Sequence, residues 1–147
     1  MEAVPSSLQA EIQQTTPFRS LSEEAILSIL RTADLVRTAI TDLLAPAGIT
    51  MQQYNVLRIL RGAGEAGLPT LAIGDRMIES APGVTRLLDR MEAKSWVSRT
   101  RCKIDRRVVH ARISTEGLRL LDNLDQPLRS STALGLSGME ESALGQL

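Results

Sequence analysis

Apolar residues recur at intervals of three and four through most of the chain and at intervals of two in one stretch, and this change of period marks out the elements. The first twenty residues, with Pro5, Pro17 and several Ser and Thr, show little periodicity and read as an arm or a short helix. From Ser20 the pattern turns helical. Ser20 and Glu23 have the spacing of a capping box, and Ile26, Ile29, Leu30, Ala33, Val36, Ile40, Leu43 and Leu44 fall on one face of a long helix that Pro46 and Gly48 should end. Thr50 supplies an N-cap for a second helix, with Tyr54, Leu57 and Leu60 on one face, before Gly62, Gly64 and Gly67 break the pattern.

Pro69 and Thr70 open a short third helix through Leu71, Ile73, Met77 and Ile78, expected to stop at Ser80-Ala81-Pro82. Pro82 and Gly83 start a fourth, since proline suits a first helical turn, where its missing N–H would have no intrahelical partner. Val84, Leu87, Leu88 and Met91 make its apolar stripe, and Thr85, Arg86, Asp89 and Arg90 its outer face. A short helix, a turn of about four residues and a second helix with a basic outer face make a helix-turn-helix. After Lys94-Ser95 the period drops to two. Residues 96–101 and 108–113 read as strands, joined by the charged tip Cys102-Lys103-Ile104-Asp105-Arg106-Arg107, the layout of a wing. Ser114 and Thr115 can cap a fifth helix through Leu118, Leu120, Leu121 and Leu124, which Pro127 should kink or interrupt. Ser137 with Glu140 is a further capping box, placing a last helix at the C-terminus. The predicted fold is mainly α with a small β-hairpin wing: 1–48 an N-terminal arm and long dimerisation helix, 49–114 a winged helix-turn-helix, and 115–147 C-terminal dimerisation helices of one intertwined domain.

A chain of 147 residues is long enough to bury a core without disulfides. One Cys and one His are too few for a zinc site of four protein ligands, and no metal or cofactor is expected. No apolar run approaches the roughly 20 residues that cross a bilayer, and the N-terminus lacks a basic segment followed by an apolar one, so a cytoplasmic protein without membrane partners is predicted. The 17 basic and 17 acidic side chains cancel overall, but not locally. Between Arg76 and Arg112 ten Lys or Arg face four acids, leaving seven basic and thirteen acidic residues elsewhere. A basic middle enclosed by acidic flanks is the footprint of a surface that meets polyphosphate.

The groove-facing candidates follow from reach and chemistry. Gly83, Thr85 and Arg86 are short or flexible enough to reach base edges; Gly83 allows close backbone approach, the helix N-terminus favours a phosphate, and Arg86 has the fork for bidentate contact with guanine. Arg90 reaches a base edge or a phosphate, and Thr70 and Pro82 complete the DNA-facing set on the two helices. Arg106 and Arg107 suit a minor groove, while Arg99, Arg101 and Lys103 are expected to touch phosphate. Asp89 and Asp105 would repel phosphate if free, so each is expected to pair with a nearby arginine and support the helix or the wing. The apolar surface of the long helix and of the segments after Thr115 calls for a twofold homodimer. Cys102 reads as an ordinary strand-end cysteine, His110 as a structural or phosphate-contacting side chain, and Tyr54 and Trp96 as core. No Gly-rich phosphate loop or nucleophile motif occurs, so no enzyme is expected. A winged-helix protein-interaction module without specific DNA binding is the alternative.

Pro82-Gly83-Val84-Thr85-Arg86-Leu87-Leu88-Asp89-Arg90-Met91-Glu92-Ala93-Lys94, the wing Asp105-Arg106-Arg107 and Ile113-Ser114-Thr115-Glu116-Gly117 together resemble the MarR family of bacterial regulators, over roughly residues 26–147. The resemblance implies a homodimer with one winged domain per subunit, a repressor on a pseudo-palindromic operator, released by a small-molecule effector, often anionic or phenolic. With only three aromatic residues to stack on, an aliphatic-lined effector site is expected as readily as an aromatic one. Two features depart from the family pattern. The C-terminal helix that Leu136-Ser137-Gly138-Met139-Glu140 should start is short, which shifts dimerisation toward the N-terminal segment, and no cysteine precedes Cys102, so the peroxide-sensing thiol of one branch is missing.

Overall fold

The structure, a computed structural model, describes residues 7–79 and 82–130 together with Glu140, Ser142 and Gly145. The helix expected from Ser137 therefore lies outside the described residues, as do Ser80 and Ala81. The described helices are α1 (Ser7–Glu11), α2 (Leu21–Leu44), α3 (Met51–Ala63), α4 (Thr70–Arg76), α5 (Val84–Ala93) and α6 (Thr115–Ser130). Strands β1 (Leu68–Pro69), β2 (Val97–Arg101) and β3 (Val109–Ile113) form one antiparallel sheet in the order β1-β3-β2. This is a mainly helical winged helix-turn-helix. The chain divides into two compact units, Met1–Ala39 with Ala133–Leu147, and Ile40–Thr132. No described helix is long and apolar enough to cross a membrane.

In the first unit, the backbone N–H of Glu23 donates to Ser20 Oγ at 3.1 Å, so Ser20 caps α2 as its spacing predicts. The reciprocal half of the box is absent. The Glu23 carboxylate takes the Arg19 backbone N–H at 2.7 Å and its guanidinium at 2.8 Å, a charge-assisted pair that displaces the weaker bond to Ser20. Arg31 on α2 donates to Glu11 at 2.8 Å and ties down α1. Leu21, Ile26, Ile29, Leu30 and Leu35 of α2 are exposed, with Leu21 at 85%.

The second unit holds the main core. α2 ends at the buried Leu44, and Gly48 takes the left-handed conformation that turns the chain into α3. Thr50 opens α3 with a complete capping box: Gln53 N–H donates to Thr50 Oγ1 at 3.2 Å and Thr50 N–H to Gln53 Oε1 at 3.0 Å. Val56, Leu57 and Leu60 of α3, Ile73 of α4, Leu87, Leu88 and Met91 of α5, Val97 and Ala111 of the sheet and Leu121 and Leu124 of α6 pack together. Tyr54 and Trp96 pack at its margin. Fully burying one such leucine stabilises the fold by about 1.5–3 kcal/mol. Arg61 joins α3 to α6 by donating to Asp125 at 2.8 Å.

Four expectations need correction. A third strand, β1, pairs Leu68 with Ala111 and Pro69 with His110; proline is tolerated because the strand is at the sheet edge. α4 stops at Arg76 because Met77 becomes extended and the Ile78 N–H donates to Asn55 on α3 at 2.9 Å, so residues 77–83 separate α4 from α5, more than the four expected. Pro82 precedes the helix rather than entering its first turn, since Gly83 is the N-cap, with φ 94°. Finally, α6 is not interrupted at Pro127 but runs on to Ser130, with Leu121, Leu124 and Leu128 packed on the core.

Candidate nucleic-acid interface

The basic outer face of α5 is set by what its inner face buries. Leu87, Leu88 and Met91 are buried and Val84 half-buried, which leaves Thr85, Arg86, Asp89 and Arg90 exposed. Pro82 and Gly83, in the turn before it, are exposed as well. Gly83 has no side chain with which to cap the helix, so its first N–H groups meet no cap from that position. The far end closes differently. Trp96 N–H donates to Met91 O at 3.0 Å and Ser95 N–H to Glu92 O at 2.8 Å, a Schellman pattern with Ser95 in the left-handed region at φ 59°.

β2 starts one residue after this closure, and Arg99 on it reaches back to α5. Its Nη2 lies 2.7 Å from Glu92 Oε2 and 2.6 Å from Asp89 Oδ1, and its backbone N–H donates to Glu92 Oε1 at 3.0 Å. Hydrogen bonding to Glu92 raises the Arg99 pKa above its ordinary value, partly opposed by burial and reinforced by Asp89. Arg99 was expected to touch phosphate. Instead it braces α5 against the wing, with 21% of its side chain exposed. Asp89 pairs with this arginine. Glu92, which sequence reasoning passed over, is the main partner. The signal was present, because Asp89 and Glu92 lie three residues apart on one helix face beside a strand carrying an arginine.

The wing beyond Arg99 is a different environment. Cys102 N–H donates to Val108 O at 2.8 Å and closes the loop at its base. Val108 N–H donates to Asp105 O at 3.0 Å, and Arg107 N–H to Asp105 Oδ1 at 3.0 Å. Asp105 thus shapes the tip through backbone hydrogen bonding, not the arginine pairing expected, because an aspartate can fold back on the N–H two residues ahead. Arg101, Lys103, Arg106 and Arg107 are exposed. Cys102 and His110 are half-buried. Thr70 is also half-buried, and its hydroxyl donates to Val109 O at 3.2 Å, pinning the start of α4 to β3.

Other contacts hold this platform. Lys94 Nζ donates to Gly48 O at 3.1 Å and lies 4.4 Å from the centre of the Trp96 ring. Ser114 Oγ donates to Ser95 O at 2.6 Å and accepts Gly117 N–H at 3.0 Å, capping α6 against the base of the wing. A cavity of about 80 Å3 lies beside α3, lined by Ile40, Met51, Tyr54, Arg58, Met77 and Ile78 among others. Among the described residues no group of His, Cys, Asp and Glu is arranged to hold a metal ion.

Comparison with known proteins gives this geometry a family. The MarR family model matches residues 49–109, from the start of α3 into β3. The crystal structure of a MarR transcription factor from Planctomyces limnophilus is 36% identical, covers 88% of this chain and 93% of that one, and superposes with a TM-score of 0.71. The chain belongs to the MarR family. TtmR of Methylorubrum extorquens, an HTH-type transcriptional regulator, is 31% identical over 121 residues, which are 82% of this chain and 60% of that protein. MhqR of Bacillus subtilis, a regulator of the same type, is 30% identical over 77 residues, 52% of each chain. This MarR-family chain therefore spans about half to three-fifths of the length of these two curated relatives.

Proposed function

We propose that this MarR-family protein is a sequence-specific transcriptional regulator that binds duplex DNA through α5 and the wing tip. The observation that carries the reading is how three of the four acids of the basic segment are used. Asp89 and Glu92 are held by Arg99, and Asp105 is held by a backbone N–H, while Arg86, Arg90, Arg101, Lys103, Arg106 and Arg107 are exposed. The fold's own bonds thus soften these three acids, which would otherwise repel phosphate, and the cations stay available to it. Arg86, with Gly83, Thr85 and Pro82 at the open end of α5, is assigned to base and phosphate contacts in the major groove. Arg90 takes a base edge or a phosphate, Arg106 and Arg107 enter the minor groove, and Arg101 and Lys103 hold phosphate. Thr70 and Arg99 support these elements from beneath.

The protein acts as a homodimer and a repressor in this reading, by binding and not by catalysis, in the cytoplasm. The exposed Ile26, Ile29 and Leu30 of α2 support dimerisation, since contiguous apolar surface marks an association site. Release by a small-molecule effector is supported by the cavity beside α3, whose lining surface is mainly apolar. Its lining residues Met77 and Ile78 lie on the segment that leads toward α5, so a ligand there could favour an arrangement of that segment that binds DNA less well.

Selection of bound sequences from a random duplex pool tests the reading. The expected product is a pseudo-palindrome whose half-sites lie about one helical turn, ~34–36 Å, apart. Enrichment of no sequence, or binding unaffected by salt, would point to the protein-interaction alternative.

A further inference from the structure

Ile104 is the most exposed large apolar side chain among the described residues, at 98%, and it stands in the loop at the tip of the wing. Single exposed apolar residues are ordinary on protein surfaces, so exposure alone carries no role. Its position is less ordinary. Turns select Gly, Pro, Asn, Asp and Ser, and a β-branched residue has no conformational advantage there. Here the turn is made by its neighbour: Asp105 accepts Arg107 N–H through Oδ1 and Val108 N–H through its carbonyl. Position 104 is thereby relieved of the turn's backbone duty, and the fold gives its side chain almost no cover. The surroundings favour one occupant. Lys103 precedes it, Arg106 and Arg107 follow within three residues, all three are exposed, and the one acid of the tip is drawn into the hairpin's own bonding. A surface that is apolar at its apex and cationic around it complements polyanion walls enclosing an apolar floor of sugar and base edges.

We infer that Ile104 is an apolar minor-groove contact, entering the groove between the flanking arginines and favouring base steps that open at low cost. The inference rests on the DNA-binding reading above and adds a specificity residue to it. Inserted apolar side chains partly unstack a step, so the sequence preference should fall on flexible pyrimidine–purine steps such as TA or CA. The chemistry also separates this role from that of the arginines. Removing a phosphate contact lowers the steepness of the salt dependence, whereas removing an apolar contact lowers affinity equally at every salt concentration.

The test compares full-length wild type, Ile104→Ser, Ile104→Val and Arg107→Ala on one duplex of about 30 base pairs selected from a random pool, long enough for two half-sites. Affinity is measured across a salt series, with melting curves and molecular mass as controls. Ile104→Ser should weaken binding about tenfold with the wild-type salt slope, on the scale expected for an apolar side chain that loses its buried surface. Ile104→Val should recover most of the loss, and Arg107→Ala should reduce the slope by about 1. Exchanging a flanking TA step for a stiff A-tract should cost the wild type more affinity than it costs Ile104→Ser. Equal binding by wild type and Ile104→Ser would overturn the inference and leave the DNA-binding reading standing. A lowered slope in Ile104→Ser would overturn it too, since the residue would then act through the cations, as would a changed molecular mass, which would place Ile104 in a protein contact. If wild type itself shows no salt-dependent duplex binding, the functional reading fails and the inference falls with it.

Discussion

At the base of the wing, Arg99 lies between two carboxylates with a fifth of its side chain exposed; at the tip, Arg106 and Arg107 are exposed and the hairpin engages the Arg107 backbone N–H. The two places carry the same side chain and differ in what their neighbours offer it. Near Arg99 the last turns of α5 present Glu92 and Asp89, so the guanidinium becomes a brace between α5 and the wing. At the tip the single aspartate folds back on the chain through Oδ1, and the cations around it stay exposed. Basic residues near a DNA-binding element thus divide by their acids. An arginine with a carboxylate in reach of its fork serves the fold, and in the proposed reading one whose acid is spent on the backbone is left for the ligand.

This division can be broken from either side. The largest expected effect is at the tip. The double substitution Arg106→Ala with Arg107→Ala should weaken binding to a selected duplex on the order of 100-fold at moderate salt and lower the salt slope by about 2, with an unchanged melting curve. Titration by fluorescence anisotropy, with parallel thermal melts, checks both halves. An equally large fall in melting temperature would mean that the tip arginines also serve the fold.

The next effect lies beneath the base. Gly117 sits at the start of α6 where an added Cβ would collide with the Trp96 carbonyl oxygen and crowd the Ile113 side chain. Gly117→Val should therefore destabilise the protein by about 1–3 kcal/mol, read by denaturant unfolding, because backbone cannot give way as a flexible side chain does. A wild-type midpoint would show that the contact between α6 and the wing base is slack. Arg99→Met comes third. It keeps much of the side-chain length but leaves Asp89 and Glu92 facing one another, at a cost of about 1 kcal/mol once solvent screening of the part-exposed carboxylates is allowed for. Its DNA affinity should fall while its salt slope stays near wild type, the reverse of the tip variant's signature.

These cases also show how far the residue pattern reached. The α5 stripe, the Thr50 cap and the two long wing strands rest on local periodicity and local hydrogen bonds, and they were legible. β1 was not, because a two-residue strand containing Pro69 has no period of its own and exists only by pairing with Ala111 and His110 on β3. α4 ends early for a similar reason: Asn55, more than twenty residues before, captures the Ile78 N–H that a longer helix would have used. Within the candidate site, composition identified the arginines but could not assign them, since brace and ligand contact differ only in which carboxylates the fold brings near. Ile104 drew no attention in the sequence because exposure is a property of the folded hairpin.

The smallest predicted effect concerns a pair away from the wing and serves as a control. Hydrogen bonding to Arg61 holds the Asp125 carboxyl below its ordinary value, with burial opposing and the Arg61, Arg129 and Arg58 charges assisting. The unfolded chain binds this proton first as pH falls. The contribution of the pair is thus complete above the unfolded carboxyl value near ~3.9 and is lost as pH drops through the lower folded value. Asp125→Asn should be slightly less stable than wild type near neutrality, and the gap should narrow as pH falls below about 5 and close only once pH has dropped through the lowered folded value. A gap that stayed constant in acid-denaturation curves would remove the linkage between α3 and α6, while the duplex affinity at neutral pH should match wild type throughout.

The central claim is that one face, made of the open end of α5 and the wing tip, meets the duplex. Amide hydrogen exchange with and without a selected duplex at low salt tests it at residue resolution. Duplex-dependent protection is expected at residues 83–86 and 102–107, with α6 unchanged. Protection confined to other segments, or none at saturating duplex, would contradict it.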